Sequence, residues 1–226
     1  IISPNDERFV EWANTIASFR NKQGIRSGVV TISEIGANNY TQIENYINDA
    51  YNDWDIPPVA FLILGDYGTT GNTVTSPMWD NYCVSDNIYA DVNNNDMPDM
   101  AHARITARNE AELETIINKA LDYEMDPPTS PNFYNNPVSA GGWQTERWFI
   151  ICSEAIHGFW ANELGKEPIR EYAIYQGTPG TTWSTATNTA TVINYFGVNG
   201  LGYLPATPNM ITYWTATATD INNDIN

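Results

Sequence analysis

The chain has 226 residues, of which 27 are acidic and 10 are basic, so its formal net charge is −17. This charge argues against nucleic acid or an anionic membrane as a partner, because both would repel it. Hydrophobic residues make up 42% of the chain, enough for a packed core, which excludes a disordered acidic tail. The composition is compatible with a secreted protein and with bound divalent cations. No apolar run has the length needed to span a bilayer.

The first half of the chain alternates between strand and helix patterns. Strands are predicted at 1–4, 29–32, 59–64 and 100–106, and helices at 5–23, 43–54 and 109–124. The continuous apolar run at 59–64 is typical of a strand that is buried on both faces of a parallel sheet. Residues 67–88, rich in Thr, Gly and Asn, are predicted to form a long loop.

A connection rich in Pro and Asn follows, and the α/β pattern then starts again. We therefore predict two domains, 1–135 and 136–226. In the second domain strands are predicted at 148–152 and 171–176, and helices at 155–164 and 184–196. The last residues, 220–226, have the pattern of the first part of a helix, which predicts that the sequence is a piece of a longer protein.

This alternation predicts an α/β fold with mostly parallel sheets flanked by helices. Such sheets place their sites outside the carboxyl ends of the strands. Asp66 follows the 59–64 strand, and Glu154 follows the predicted 148–152 strand. We therefore expect both carboxylates to line one crevice. The alternative for Glu154 is a carboxylate that only complements the dipole of the next helix.

A candidate cation site lies in the acidic segment between Asp91 and Asp99. Oxygen-bearing side chains recur there at alternating positions, at Asp91, Asn93 and Asn95, and Asp99 closes the segment. Such a series can surround a hard cation such as calcium. The segment lacks the Gly and the terminal Glu of an EF-hand, and the alternative is an Asn/Asp-rich turn.

The two cysteines, Cys83 and Cys152, are too few for a disulfide scaffold, and whether they pair with each other stays open. Cys152 lies in an apolar segment, which favours a structural thiol. The neighbouring Ser153 lacks the G-x-S-x-G context of a nucleophile. The two histidines, His102 and His157, lack a partner at i+4 and are interpreted as hydrogen-bonded structural residues.

Several short motifs, taken together in their order and spacing, resemble the gingipain family of secreted cysteine peptidases. They are Leu64-Gly65-Asp66, the segment 85–93, Met97-Pro98-Asp99, Ala103-Arg104-Ile105 and Tyr123-Glu124. The resemblance covers essentially the whole chain and is most specific over 59–124. It implies a caspase-like fold of two side-by-side α/β subdomains, here one complete subdomain and part of the second.

The resemblance also implies functional residues. The catalytic His and Cys of the family would lie after Asn226, so the histidines and cysteines of this chain do not match that dyad. Glu154 would correspond to the acidic residue that supports the catalytic His, and the Asp91–Asp99 segment to a calcium site. Asp66, Ser85 and Asp86 are assigned to the crevice.

The resulting hypothesis is part of a cysteine endopeptidase, secreted or on a bacterial cell surface, that acts on protein or peptide substrates. The remainder of the catalytic domain would be a companion or downstream segment, and the chain alone is predicted to be inactive. A sheet that lacks its later strands has an open edge, so we expect the chain in an assembly. The alternatives are a non-catalytic surface or assembly module with the same fold, and an independent enzyme that uses Cys152 or Ser153.

Overall fold

The computed structural model describes residues 1–142, 148–173, 187–206 and 214–225. The chain divides into two compact units, Ile1–Pro127 and Pro128–Asn226. The division falls at the Pro127–Pro128 pair, before the predicted boundary after residue 135. Within the described ranges, none of the helices combines the length and the apolar character of a membrane-spanning segment.

The strands of the first unit are β1 (Ile2–Ser3), β2 (Val30–Thr31), β3 (Ala60–Leu64), β4 (Asp66–Tyr67), β5 (Thr73–Val74), β6 (Met78–Trp79), β7 (Cys83–Val84) and β8 (Ala101–Ile105). Its helices are α1 (Glu7–Lys22), α2 (Ile32–Ile35), α3 (Tyr40–Asp53), α4 (Asn87–Ala90) and α5 (Glu110–Met125). The three long helices have the N-cap residues Asp6, Asn39 and Asn109, whose side chains accept hydrogen bonds from backbone N–H groups of the first turn.

A four-stranded parallel sheet in the order β2-β1-β3-β8 organises the first unit. The chain that leaves β1 continues to β2 on one side of β1, whereas the chain that leaves β3 continues to β8 on the opposite side. The loops that leave these two neighbouring strands therefore run in opposite directions, and an open α/β sheet forms a crevice at such a place. The predicted loop at 67–88 contains two short strand pairs, β4–β5 and the antiparallel β6–β7 hairpin.

Both faces of this sheet are covered, as the apolar 59–64 run predicts. Helix α3 packs on one face through a cluster of buried residues, which are Ile2, Ile32, Ile43, Ile47, Ile63, Val74, Tyr89 and Met100. Helices α1 and α5 pack on the other face through a second cluster, which is Phe9, Ala13, Ile16, Leu64, Ala107, Leu113, Ile117 and Leu121. The helical spacing of the sequence predicts Leu113, Ile117 and Leu121 on the buried face of α5, which is confirmed, whereas Ala111, Ile116 and Ala120, predicted on the same face, are exposed.

The second unit contains strands β9 (Val138–Gly141) and β10 (Ile169–Tyr172) and helices α6 (Pro131–Asn135), α7 (Trp148–Asn162), α8 (Thr187–Phe196) and α9 (Ala218–Ile225). The two strands are parallel, with Val138 opposite Ile169. Their described core consists of Ile150, Ile151, Tyr172, Leu204 and Trp214. Part of the predicted helix at 184–196 and part of the predicted strand at 171–176 lie outside the described residues.

The strand predicted at 148–152 is wrong, because these residues form the first turns of α7. Apolar residues recur up to Trp160 without a proline between them, and a short apolar run such as 148–152 does not by itself distinguish a buried strand from a buried helix. The strand of this region is β9, which was not predicted. Its residues Val-Ser-Ala-Gly are small, so they lack the apolar signal of a buried strand.

Candidate functional site

Arg104, near the carboxyl end of β8, holds the long loop that leaves β3. Its Nη1 donates to the carbonyl oxygens of Gly65, at 3.1 Å, and Val74, at 2.9 Å. Nη1 also lies 3.4 Å from the carbonyl oxygen of Asp66, and Nη2 donates to Ser76 Oγ at 2.8 Å. One guanidinium therefore fixes both ends of the loop segment from Gly65 to Ser76 at the carboxyl edge of the sheet.

Asp86 completes this arrangement as the ion-pair partner of Arg104. Arg104 Nε donates to Asp86 Oδ2 at 2.7 Å and Nη2 donates to Oδ1 at 2.8 Å, a bidentate geometry. Ser76 Oγ donates to the same carboxylate at 2.5 Å. Burial by itself would raise the pKa of Asp86, but the hydrogen bonds from Arg104 and Ser76 outweigh it and hold the pKa below its usual value.

The structure thus connects two of the three residues assigned to the crevice, because Arg104 contacts both Asp66 and Asp86. The side chain of Asp66 accepts a hydrogen bond from the backbone N–H of Tyr67 at 2.7 Å. Ser85 Oγ accepts from the N–H of Asn87 at 3.3 Å, at the start of α4. The contacts of all three side chains are therefore ones that shape loops.

A cavity of about 270 Å³ does lie at this carboxyl edge. Its lining is Pro4, Asn5, Ile32, Ser33, Gly36, Ala37, Asn38, Thr69, Thr70, Gly71 and Thr73, a set without an ionisable side chain and without Asp66, Ser85 or Asp86. Asn38 shapes it, since its Nδ2 donates to the carbonyls of Gly68 and Thr73 and its Oδ1 accepts from the N–H of Thr75. Sequence reasoning missed Asn38, because a single asparagine before a helix carries no distinctive signal.

The Asp91–Asp99 segment is a turn in which the carboxylates of Asp91 and Asp99 accept hydrogen bonds from the segment itself. Both carboxylate oxygens of Asp91 accept backbone N–H groups, from Asn95 at 3.0 Å and Asp96 at 2.8 Å. Asp99 accepts the N–H and the side-chain amide of Asn93. Among the described residues, no three acidic, histidine or cysteine side chains are grouped so that they could hold a metal ion.

Glu154 lies in the middle of α7, not at the end of a strand, and its side chain has no exposed surface. Arg170 Nε donates to Oε1 at 2.6 Å, and Arg170 Nη2 donates to Oε2 at 3.1 Å. The hydroxyl of Tyr172 donates to Oε1 at 2.6 Å. The carboxylate therefore ties helix α7 to strand β10. Arg170 and Tyr172 were not singled out in the sequence, although residues two apart on a strand point to the same side.

His157, one turn after Glu154 on α7, belongs to the same buried group. Its Nδ1 lies 3.3 Å from Ser139 Oγ on β9. Burial lowers the pKa of His157, and the charge of Arg170 lowers it further, whereas Glu154 acts in the opposite direction. A buried neutral imidazole with a hydroxyl partner agrees with the structural interpretation of this histidine.

The cysteines and the other histidine are not arranged as a nucleophile and base. Cys83 and Cys152 are free and exposed, and in the part of the chain that the structure describes neither thiol makes a hydrogen bond. His102 lies on β8 and stacks on Phe61, with ring centroids 5.7 Å apart. A thiol needs an adjacent base to act as a nucleophile at neutral pH, and these contacts supply none.

Solved structures of proteases share this fold. The crystal structure of the Arg-specific cysteine proteinase gingipain R superposes with a TM-score of 0.63 at 16% identity, and the match covers 85% of this chain and 43% of that one. A complex of the RgpB pro- and mature domains from Porphyromonas gingivalis gives 0.58 at 15%, covering 80% and 42%. A third structure, described as a protease, gives 0.58 at 17%, covering 86% and 41%. The chain thus has the caspase-like α/β fold predicted from its sequence and spans about two-fifths of each matched chain.

The family model of Peptidase family C25 matches residues 1–223, so the chain belongs to this peptidase family. No curated protein sequence matches it. The resemblance to gingipains that the sequence motifs carried is confirmed at the level of the family and of the fold.

Proposed function

We propose that this chain is the amino-terminal part of the catalytic domain of a secreted or cell-surface cysteine endopeptidase. The observation that carries the proposal is the match of nearly the whole chain to a peptidase family, although the chain spans only about two-fifths of the proteases it superposes on. In the complete enzyme, a Cys thiolate would attack the peptide carbonyl and a His would carry the proton. Both would come from the part of the domain that this chain does not contain.

The described residues support a scaffolding role within that domain. Arg104 and Asp86 fix the loop at the carboxyl edge of the first sheet, where parallel α/β folds place substrate-binding loops. The solved complex of the RgpB pro- and mature domains is a precedent for a companion domain. A companion segment and a protein or peptide substrate are therefore the partners we propose here.

An experiment can distinguish two roles of Glu154. In the hypothesis from the sequence, Glu154 orients the catalytic His, whereas its contacts with Arg170 and Tyr172 support a purely structural role. In a complete enzyme, Glu154→Gln would lower kcat and shift its pH profile if Glu154 positions the His. It would lower thermal stability and leave kcat per folded molecule unchanged if its role is structural. The contacts favour the second outcome.

Calcium binding at the Asp91–Asp99 segment stays a proposal. The hydrogen bonds that Asp91 and Asp99 accept use one lone pair of each carboxylate oxygen, so both side chains retain lone pairs for an ion. Since an ion that binds only the folded state raises stability by mass action, adding millimolar calcium to chelated protein would raise its Tm. Asp91→Ala would remove that increment, whereas Asp49→Ala, in an exposed position on α3, would keep it. An unchanged Tm in calcium would leave the segment as a plain turn.

The direct test is activity. The complete protein should cleave peptide substrates, and an alkylating reagent should label one catalytic cysteine other than Cys83 and Cys152. The 226-residue chain alone should show no turnover. Turnover by the chain alone that Cys152→Ala abolishes would overturn this proposal and favour the independent enzyme.

A second candidate is a non-catalytic surface or assembly module of the same family. Two observations on this chain favour such a module. Both histidines have structural contacts, and neither of the two described thiols contacts a histidine. The two candidates differ in the complete protein, because a module would retain the fold and bind its partners without turnover on any peptide.

A further inference from the structure

Helix α7 is apolar on two opposite faces. The inner face carries Ile150, Ile151 and Glu154, all with no exposed surface. Because an α-helix turns once every 3.6 residues, Cys152, Ile156 and Phe159, spaced four and three residues apart, lie together on the opposite side. Cys152 is exposed, Ile156 is 49% exposed and Phe159 is 41% exposed. We call these three residues the outer stripe.

No charged side chain accompanies the outer stripe on its helix. From Phe149 to Asn162, the only acidic residue is Glu154, which is buried in its ion pair, and there is no Lys or Arg. Helix α5 of the first unit shows the normal surface pattern, with Glu114, Lys119 and Asp122 exposed to solvent. A helix that is apolar all round is typically buried on all sides. Phe159 already contacts the ring of Tyr203 in this chain, with centroids 6.0 Å apart, so the part of the outer stripe left to cover is centred on Cys152 and Ile156.

We infer that the outer stripe of α7 is the docking surface for an apolar segment from the part of the catalytic domain that this chain does not contain. The inference rests on the proposed function. More than half the length of each matched protease has no counterpart in this chain, which leaves ample polypeptide to cover the stripe. The occupant must be apolar where it touches the stripe, because the side chains of Ile156 and Phe159 offer no hydrogen-bond partner to a polar group.

A second copy of the chain is a poorer occupant. A stable interface between two proteins buries about 800 Å² on each partner, more than three side chains supply. Each copy also carries a net charge of −17, which opposes self-association. A segment of the same polypeptide needs no such area, because its association is intramolecular.

The two cysteines provide a test within one molecule. Cys152 is on the outer stripe, whereas Cys83 is on the exposed β6–β7 hairpin of the other unit. In the 226-residue chain, we expect both thiols to react readily with iodoacetamide. In the complete protein, Cys152 should react at least about tenfold more slowly, since it would react only after local opening, while Cys83 keeps its rate. Mass spectrometry of peptides from timed labelling gives both rates.

Equal Cys152 rates in the chain and in the complete protein would overturn the inference. Slow labelling of Cys152 in the chain alone that becomes faster on dilution would also overturn it and would identify a second copy as the occupant. Peptidase turnover is measured separately on the same complete protein. Protection of Cys152 without turnover would keep this inference and reject the peptidase.

A pair of variants gives an independent measurement. In the complete protein, Ile156→Glu places a charge in the proposed contact and should restore much of the labelling rate of Cys152. Val198→Glu is the matched control, because Val198 is 60% exposed, in the turn after α8. Unchanged protection of Cys152 in the Ile156→Glu protein would contradict the inference, as would an equal gain in both variants.

Discussion

The two units use their Arg–carboxylate pairs differently. In the first unit, two apolar clusters fill both faces of the sheet, and the Arg104–Asp86 pair lies at the sheet edge, where it holds a loop. In the second unit, the described apolar core is smaller, and the Glu154–Arg170 pair joins a helix to a strand beside it. The Glu154 side chain has no exposed surface, whereas that of Asp86 is 17% exposed.

The difference shows what each pair does for its unit. Breaking a buried ion pair leaves an uncompensated charge in a medium that cannot solvate it, so the loss is large even when the intact pair contributes little. A pair at an edge leaves a charge that water can reach. We therefore expect loss of Glu154 to affect a whole unit and loss of Asp86 to affect mainly one loop.

The largest effect is expected for Glu154→Gln. The substitution removes the carboxylate from Arg170 and should lower the free energy of unfolding of the second unit by about 3–5 kcal/mol. Hydrogen exchange of the α7 and β10 amides during urea unfolding measures this unit separately. Glu167→Gln, at an exposed position, is the control and should change stability by less than about 0.5 kcal/mol. Similar losses of unfolding free energy in both variants would show that the buried Glu154–Arg170 pair matters no more to stability than an exposed carboxylate.

A smaller, local effect is expected for Asp86→Asn, about 1.5–3 kcal/mol, the usual contribution of a hydrogen bond to a charged group. Because the pKa of Asp86 is lowered, its contribution is present above the usual carboxyl pKa and is lost as pH falls through the folded-state value. The variant should lack this acid-dependent loss, and exchange should accelerate mainly in the loop at 65–86. Asp49→Asn is the matched control, and uniform acceleration across the unit would contradict the local role.

Glu171, which has Asp224 and Asp220 of α9 as neighbours, should change stability with pH in the opposite direction to Asp86. Burial, and then the hydrogen bond and charge of Asp224, raise the pKa of Glu171 from 4.5 to about 6. The folded state therefore binds its proton more tightly, and stability falls as pH rises from about 4.5 to 6. Glu171→Gln should remove this slope and stabilise the unit at neutral pH by roughly 1–2 kcal/mol. Urea unfolding at several pH values measures this dependence. If the unfolding free energy of the Glu171→Gln protein still fell between pH 4.5 and 6 as in the unsubstituted protein, the prediction would be wrong.

The smallest loss of stability is expected for a more exposed ion pair, with which the two pairs described above are compared. Arg20 and Glu124 form an ion pair between α1 and α5, with N–O distances of 2.5 and 2.6 Å, and each side chain is about one-third exposed. Glu124→Gln should lower the unfolding free energy by about 0.5 kcal/mol or less, and 1 M salt should reduce even this difference. A loss as large as that of Glu154→Gln would mean that burial does not govern the effect.

Most of the first unit was predictable because its signals are local. The helical spacing of apolar residues identified α1, α3 and α5, and the continuous apolar run identified β3, since periodicity reflects the contacts of each element with the core. The order of short motifs was enough to predict the peptidase family and the α/β fold. The charge of the chain follows from composition alone.

The tertiary structure decided what depends on distant partners. Residues 148–152 are helical because α7 packs on β9 and presents Ile150, Ile151 and Glu154 to one side. Glu154 meets Arg170, 16 residues away, and Asp86 meets Arg104, 18 residues away. The oxygens of the Asp91–Asp99 segment accept backbone N–H groups of their own turn. A sequence shows which side chains are able to pair, whereas the partner that each one finds depends on how the chain brings them together.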